Sequence, residues 1–297
     1  MKEPLISVLL CTYNDEKYIY KAVKSILDQT FEDFEFIIIN DGSTDKTLDI
    51  LKQFDDKRLI LIDKPNTGLT DSLNLGVSIA KSNWIARMDG DDISIKTRFE
   101  EQIKYIDDNV AVIGTQCKFI DEEGNQIATA SLPLTHDEIL KKGTSFRTMF
   151  IHPSVLINKE LLLKSGGYDE YINSAEDLDL WLKLSYYGKL VNIDSVLLEY
   201  RMHQNKISIT KRKEQLLNAT IAILKNKNKN YENISKKEYF IFKNMIENNY
   251  IFKTIVILSQ KSIGKTNFSL KFYNFFVLIL FFILKNTTVI KKSPNIE

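Results

Sequence analysis

In residues 1–92, three short apolar runs each stop at a cluster of polar side chains, and this repetition constrains the fold more than any other feature. Residues 5–10 lead to Thr12-Tyr13-Asn14-Asp15-Glu16, residues 36–39 to Asn40-Asp41-Gly42-Ser43, and residues 84–88 to Asp89-Gly90-Asp91-Asp92. Runs this short and this rich in Ile, Val and Leu predict strands covered on both faces. Residues 59–62 predict a further strand. Between the strands lie stretches of helical period. Residues 15–28 place Tyr18, Ile19, Ala22, Val23, Ile26 and Leu27 on one stripe, residues 46–54 follow the capping residues of the second cluster, and Leu69, Leu73, Val77 and Ala80 mark another helix. Such alternation is the signature of a largely parallel sheet in an α/β fold. Ligands bind such sheets beyond the carboxyl ends of the strands, so the three clusters are expected in one crevice.

The rest of the chain is more mixed. Residues 110–120 and 126–130 predict a hairpin around residues 121–125, residues 150–157 a strand, and residues 175–187 a helix. Cys11 and Cys117 are too few for a disulfide framework and read as reduced core thiols of a cytoplasmic protein. No charged-then-apolar leader precedes the first strand. The net charge of +1 conceals an asymmetry: residues 1–210 carry 24 basic against 34 acidic side chains, and residues 211–297 carry 16 against 5. The basic segment also holds an unbroken apolar run at residues 275–284, too short to span a bilayer and flanked by lysines. That pairing predicts a helical extension that docks on an anionic membrane surface rather than on nucleic acid. The alternative is a helix packed on the catalytic domain or at a dimer contact.

The acidic cluster carries the most chemistry. Three carboxylates among Asp89, Gly90, Asp91 and Asp92 repel one another unless a cation sits between them, and hard ions such as Mg²⁺ or Mn²⁺ take carboxylates together with substrate phosphates. A solvated turn that caps the next helix would use the same residues. Tyr13 offers a ring face to a nucleobase or packs in the core. Asp41 accepts from a base or ribose, or caps a turn. Asn66 and Gly68 precede a helix where backbone amides can approach phosphate oxygens, or Gly68 supplies a positive φ. In Glu176-Asp177-Leu178-Asp179, Asp177 near a helix N-terminus is a cap or a general base.

Taken together, residues 6–14, Asn40-Asp41-Gly42-Ser43-Thr44-Asp45, Asn66-Thr67-Gly68, Asn74, Asp89-Gly90-Asp91-Asp92, Gly166-Gly167-Tyr168, Glu176-Asp177 and Tyr200-Arg201-Met202-His203 resemble family 2 glycosyltransferases, in the family's order, over residues 5–208. The bacterial members they are most similar to build capsule, O-antigen and other surface polysaccharides. The resemblance implies a GT-A-type, Rossmann-like nucleotide-diphospho-sugar transferase fold over residues 1–210, with residues 211–297 as the basic helical extension. It implies an inverting transfer from a nucleotide diphosphate sugar, UDP-sugar by family habit, to a saccharide or lipid-linked acceptor. It places Thr12, Tyr13, Asn14, Glu16 and Asp41 in the nucleotide pocket with Asn66 and Gly68. Asp89 falls near the ribose, and Asp91, with Asp89 and His203, on Mn²⁺ or Mg²⁺. Asp177 becomes the base, Glu176 an acceptor-placing neighbour, and His152 a polar contact to acceptor or diphosphate. The expected location is the inner face of the plasma membrane. A sugar nucleotidyltransferase would instead favour a glycine-rich basic loop after the first strand, where Cys11-Thr12-Tyr13-Asn14 stands. A non-catalytic relative would not need the Glu176-Asp177 pair.

Overall fold

The computed structural model describes residues 3–145, 148–203, 212–227 and 235–247. The apolar run at residues 275–284 and the membrane docking expected of it lie outside the described residues.

Four strands, β1 (Ile6–Thr12), β2 (Phe34–Asp41), β3 (Leu59–Lys64) and β4 (Trp84–Asp89), pair in parallel in the order β3-β2-β1-β4. The chain winds outward from β1 to β3 and then returns to the other side of β1. The gap between β1 and β4 is therefore the topological switch point, where a crevice opens. Helices α1 (Ile19–Leu27), α2 (Thr47–Leu51) and α3 (Leu69–Ile79) connect these strands. The sheet continues through β8 (Leu156–Asn158), β6 (Val110–Ile120), β9 (Lys189–Arg201) and β5 (Ile93–Ser94), and β7 (Gln126–Thr129) pairs with β6 in the expected hairpin.

Alternation along the strands divides the core into two layers, one on each face of the sheet. Leu9, Cys11, Ile37 and Ile39 pack with Leu73 and Val77 of α3 and with Leu180 and Trp181 of α7 (Glu176–Leu184). Val8, Leu10, Phe36 and Ile38 pack with Ile19, Val23 and Ile26 of α1 and with Phe99 of α4 (Arg98–Gln102). Helices α5 (His136–Gly143) and α6 (Lys159–Lys164) add Ile139 and Leu162 to the first layer. Two helices close the described chain, α8 (Arg212–Lys227) and α9 (Lys236–Glu247). Leu217, Ile221 and Leu224 of α8 are buried in the same layer as α7, so this part of the basic segment packs in the hydrophobic core. Among the described residues no helix is long and apolar enough to cross a membrane.

The strand expected at residues 150–157 is broken. Pro153, which has no N–H to give a ladder, lies in a 3₁₀ turn at His152–Ser154, and only Leu156–Asn158 pairs as a strand. The 13-residue β9 is absent from the sequence reading because its alternation fails at Asp194-Ser195, beside the register shifts against Thr115, Gln116 and Cys117 of β6.

Candidate active site

Register brings the polar clusters together. Thr12 pairs with Asn40, Asn40 with Asp63, Asp41 with Lys64, and Cys11 with Asp89. The loops after β1 and β2 are then stapled to each other. Asn14, held at φ 58°, accepts from the Thr44 N–H at 2.8 Å through Oδ1, and its own N–H donates to Ser43 Oγ at 3.0 Å. Glu16 accepts from the Lys46 N–H at 2.9 Å, and its N–H donates to Asp45 at 3.1 Å. The side chains of Asn14 and Glu16 thus shape the pocket by fixing its loops. Tyr13 stands out of that frame, 49% exposed, with its ring free to face a base.

Asp41 is nearly buried and works on the next loop. Its Oδ1 accepts from Lys64 Nζ at 2.5 Å and from the Thr67 N–H at 3.0 Å, and its Oδ2 from the Gly68 N–H at 2.9 Å. Burial pushes its carboxyl up, but Lys64 and the two amides outweigh that and hold it below the usual range. Asn66 lies in this loop, and Gly68, at φ 100°, begins α3. A left-handed backbone there is cheap for glycine and strained for other residues.

At the end of β4, oxygens of Asp89, Asp91 and Asp92 lie within 4.8 Å of one another. The three carboxylates are not equivalent. Asp92 is fully buried and accepts from the Arg201 N–H at 2.8 Å, which ties β9 to this turn. Asp89 Oδ1 accepts from Arg87 Nη2 at 2.5 Å, and Asp91 Oδ2 lies 2.8 Å from His203 Nε2. Asp15 closes the group from the β1 side, accepting from the Thr12 hydroxyl at 2.7 Å. Burial, and then the charges of Asp91 and Asp89, push its carboxyl up to about 6, against the Thr12 hydrogen bond. Gly90 lets this happen: a Cβ there would sit 2.4 Å from Asp15 Oδ2. Crowded hard oxygens with a neighbouring imidazole fit a divalent cation of the Mg²⁺ or Mn²⁺ class.

The second carboxylate pair stands at the start of α7. Glu176 is buried, and burial followed by the charge of Asp177 pushes its carboxyl up to about 8. Burial also raises Asp177, against the Leu178 N–H that donates to its Oδ1 at 2.7 Å, and Asp89 adds to the rise. The helix N-terminus favours the charged form and opposes that rise. Behind both groups lies Arg87, 1% exposed, with Nη2 on Asp89 and no hydrogen-bond partner for Nε or Nη1 among the described residues. Its charge acts on Asp89, Glu176, Tyr168 and His152 alike. His152 lies inside, its Nε2 3.0 Å from the Tyr168 hydroxyl, and burial holds its imidazole well below its ordinary range.

Thr12, Asp41 and Asp89 therefore stand at the carboxyl ends of adjacent strands, with Asn66 and Gly68 in the loop bonded to Asp41, Asp91 in the turn after β4, His203 bonded to Asp91 from beyond β9, and Asp177 feeling the charge of Asp89. The sequence reading placed Asp15 and Arg201 within motifs but gave them no role, and it missed Lys64 and Arg87. A lone arginine inside the apolar run Trp84-Ile85-Ala86-Arg87-Met88 is a signal for one of them, because a buried cation requires an anionic partner.

Known proteins are similar to this chain in sequence and in fold. The description "Glycosyl transferase family 2" matches residues 7–166. An uncharacterized glycosyltransferase of Haemophilus influenzae is 32% identical over 97% of this chain and 96% of its own length. The O-antigen biosynthesis glycosyltransferase WbnJ of Escherichia coli is 35% identical over 67% of this chain and 80% of its own. Among solved structures, S. aureus TarS in complex with UDP-GlcNAc superposes with a TM-score of 0.61 at 19% identity, covering 93% of this chain and 80% of that one. A mannosyltransferase from Pyrobaculum calidifontis, in complex with GDP-Man and Mn²⁺, gives 0.56 at 14% identity over 98% and 83%. The chain belongs to glycosyl transferase family 2 and is a glycosyltransferase of the GT-A fold.

Proposed function

We propose that this glycosyltransferase is inverting and metal-dependent, and that it moves a sugar from a UDP-sugar to an acceptor hydroxyl in bacterial surface polysaccharide synthesis. The observation that carries the reading is the position of Arg87. Its Nη2 donates to Asp89 of the acidic cluster and its charge acts on Glu176, the chain neighbour of Asp177, which supports donor and acceptor chemistry side by side. The polysaccharide role rests on the likeness to WbnJ, and the UDP donor on the likeness to TarS, whose structure holds UDP-GlcNAc.

In this reading the nucleobase lies against Tyr13, in a pocket framed by Asn14, Glu16, Asp41 and the loop of Asn66 and Gly68, with Thr12 and Asp89 towards the ribose. Asp91, with Asp89 and His203, would hold Mn²⁺ or Mg²⁺, which when bound neutralises charge developing on the departing nucleotide diphosphate. Asp177 takes the proton of the acceptor hydroxyl as its oxygen bonds to the anomeric carbon, while the bond from that carbon to the diphosphate oxygen breaks. The attack comes from the face opposite the leaving group, so one displacement inverts the configuration. Glu176, protonated at neutral pH by its buried setting, donates a hydrogen bond that places the acceptor. The acceptor is a saccharide or lipid-linked saccharide. Residues 211–297 follow a domain spanning residues 1–210; their first helix, α8, packs into its core, and the apolar run at residues 275–284 brings the enzyme to the inner, anionic face of the membrane.

A panel of nucleotide sugars, incubated with acceptor and Mn²⁺ or Mg²⁺, tests the reading. Release of UDP from a UDP-sugar, abolished by EDTA, is expected. Equal release in excess EDTA, or from GDP-sugars alone, contradicts it.

A further inference from the structure

Four charged side chains are buried behind the base helix, each with at most 3% of its side chain exposed. Lys225 Nζ of α8 lies 2.9 Å from Asp179 Oδ1 and 3.1 Å from Asp169 Oδ2. Lys183 Nζ lies 3.1 Å from Asp179 Oδ2 and donates to the Gly167 carbonyl at 2.7 Å. Among the described residues, two cations therefore face two anions in a buried site, where charges are tolerated only when the partners are held in good geometry.

The three stretches that meet here are informative. Asp179 and Lys183 belong to α7, and Asp179 is two positions beyond Asp177. Asp169 and Gly167 belong to the turn that carries Tyr168, whose hydroxyl meets His152. The same turn is clamped to α3 by Asn74, which donates to the Tyr168 carbonyl at 2.9 Å and accepts its N–H at 3.0 Å. Lys225 comes from a third stretch, α8, which follows both of these in the chain. A second polar link runs beside it, where Asn218 of α8 donates to the carbonyl of Asn173 just before α7.

We propose that Lys225 is a positioning residue for the transfer step: it fixes the N-terminal turn of α7, and with it the Asp177 carboxylate, against the turn at residues 167–169. The inference rests on Asp177 being the base. Lys225 is bonded to Asp169 and Asp179, neither of which is assigned to the donor or the acceptor. Its loss therefore affects turnover more than donor binding, because a displacement of a reacting group by about 1 Å can cost about 10²-fold.

The test compares Lys225→Met with the paired variant Lys225→Met/Asp169→Asn, which removes one buried charge of each sign and leaves Lys183 opposite Asp179. The pair keeps the experiment decisive where the single variant fails to fold. Donor affinity is measured by nucleotide-sugar titration, and kcat per folded molecule well below the unfolding temperature. The expected result is donor affinity within about twofold of wild type with kcat lowered about 10–100-fold in the folded paired variant. A folded paired variant with wild-type kcat, whatever its unfolding temperature, overturns the proposal. Asp177→Asn runs in parallel: if that variant stays fully active, the assignment of the base has failed, independently of Lys225.

Discussion

The Nε2 atom of His203 stands 2.8 Å from Oδ2 of Asp91, across 112 positions of the chain. The contact joins the turn after β4 to the end of β9, and Arg201 reinforces it by donating its N–H to Asp92 and its Nε–H to the Asp91 carbonyl. The Arg201 guanidinium also lies over the ring of Tyr18, 4.6 Å from its centroid, so the acidic turn is braced from α1 as well. In the proposed reading His203 and Asp91 hold the cation together, so removing the imidazole is expected to weaken that site.

His203→Ala is therefore expected to raise the half-saturating Mn²⁺ concentration for transfer about 10–100-fold, the usual cost of losing a ligand's partner, with activity recovered at saturating metal. A titration of activity against Mn²⁺ checks this. An unchanged half-saturation point separates His203 from the metal.

Asp91→Asn removes the carboxylate proposed to hold the ion. Donor and metal binding are expected to weaken together, by calorimetric titration of the nucleotide sugar with and without Mn²⁺, while the thermal unfolding temperature stays close to wild type. Loss of turnover with intact metal-dependent donor binding contradicts the assignment.

Gly90→Ala tests the crowding between the two loops. Its Cβ would lie 2.4 Å from Asp15 Oδ2 and 3.2 Å from Thr12 Oγ1, so Asp15 must leave its hydrogen bond with Thr12. A stability loss of about 1–3 kcal/mol by urea unfolding is expected, as for other overpacked sites. Donor binding should weaken as well. Wild-type values for both show that the turn relaxes without cost.

Much of this arrangement was legible in the residues, for definite reasons. The strands β1, β2 and β4 announce themselves because they are buried on both faces and stop at polar clusters, and the parallel winding then requires those clusters to share an edge. The hairpin of β6 and β7 shows in its turn residues. What was hidden depends on distant pairing. Asp41 reads as a base or ribose contact or a turn cap, yet its visible partners are Lys64 and two amides of the following loop, a relation that exists only through the register of β2 with β3. The breaks in β9 conceal the strand that delivers Arg201 and His203. Helix α5 carried a legible start signal, the capping box of Thr135 and Glu138, that the periodicity of residues 136–143 alone does not bring out. Lys225 sits in a lysine- and asparagine-rich stretch that reads as exposed chain, and only tertiary packing reveals it as buried.

Glu176 gives a prediction in pH. Its folded carboxyl, raised by burial and by Asp177, holds a proton that the unfolded chain releases at the ordinary carboxylate value. Its contribution to stability is thus full below about pH 4.5 and is lost as the pH rises through about 8. Glu176→Gln lacks this loss. The unfolding temperature of the variant is expected to gain on wild type from pH 5 to pH 8 and then run parallel. A constant difference across that range shows that Glu176 is ionised in the folded protein.

The central claim is that Asp177 takes the acceptor's proton. Asp177→Asn keeps the size and much of the hydrogen bonding of the side chain but cannot accept that proton at the transition state. Donor affinity and turnover should both be measured on this variant, with Mn²⁺ saturating and the same acceptor. The account predicts donor affinity within about twofold of wild type and kcat reduced about 10²–10⁴-fold, the range for loss of a general base. Collapse of donor affinity, or turnover near the wild-type rate, would place Asp177 outside the proton transfer and contradict it.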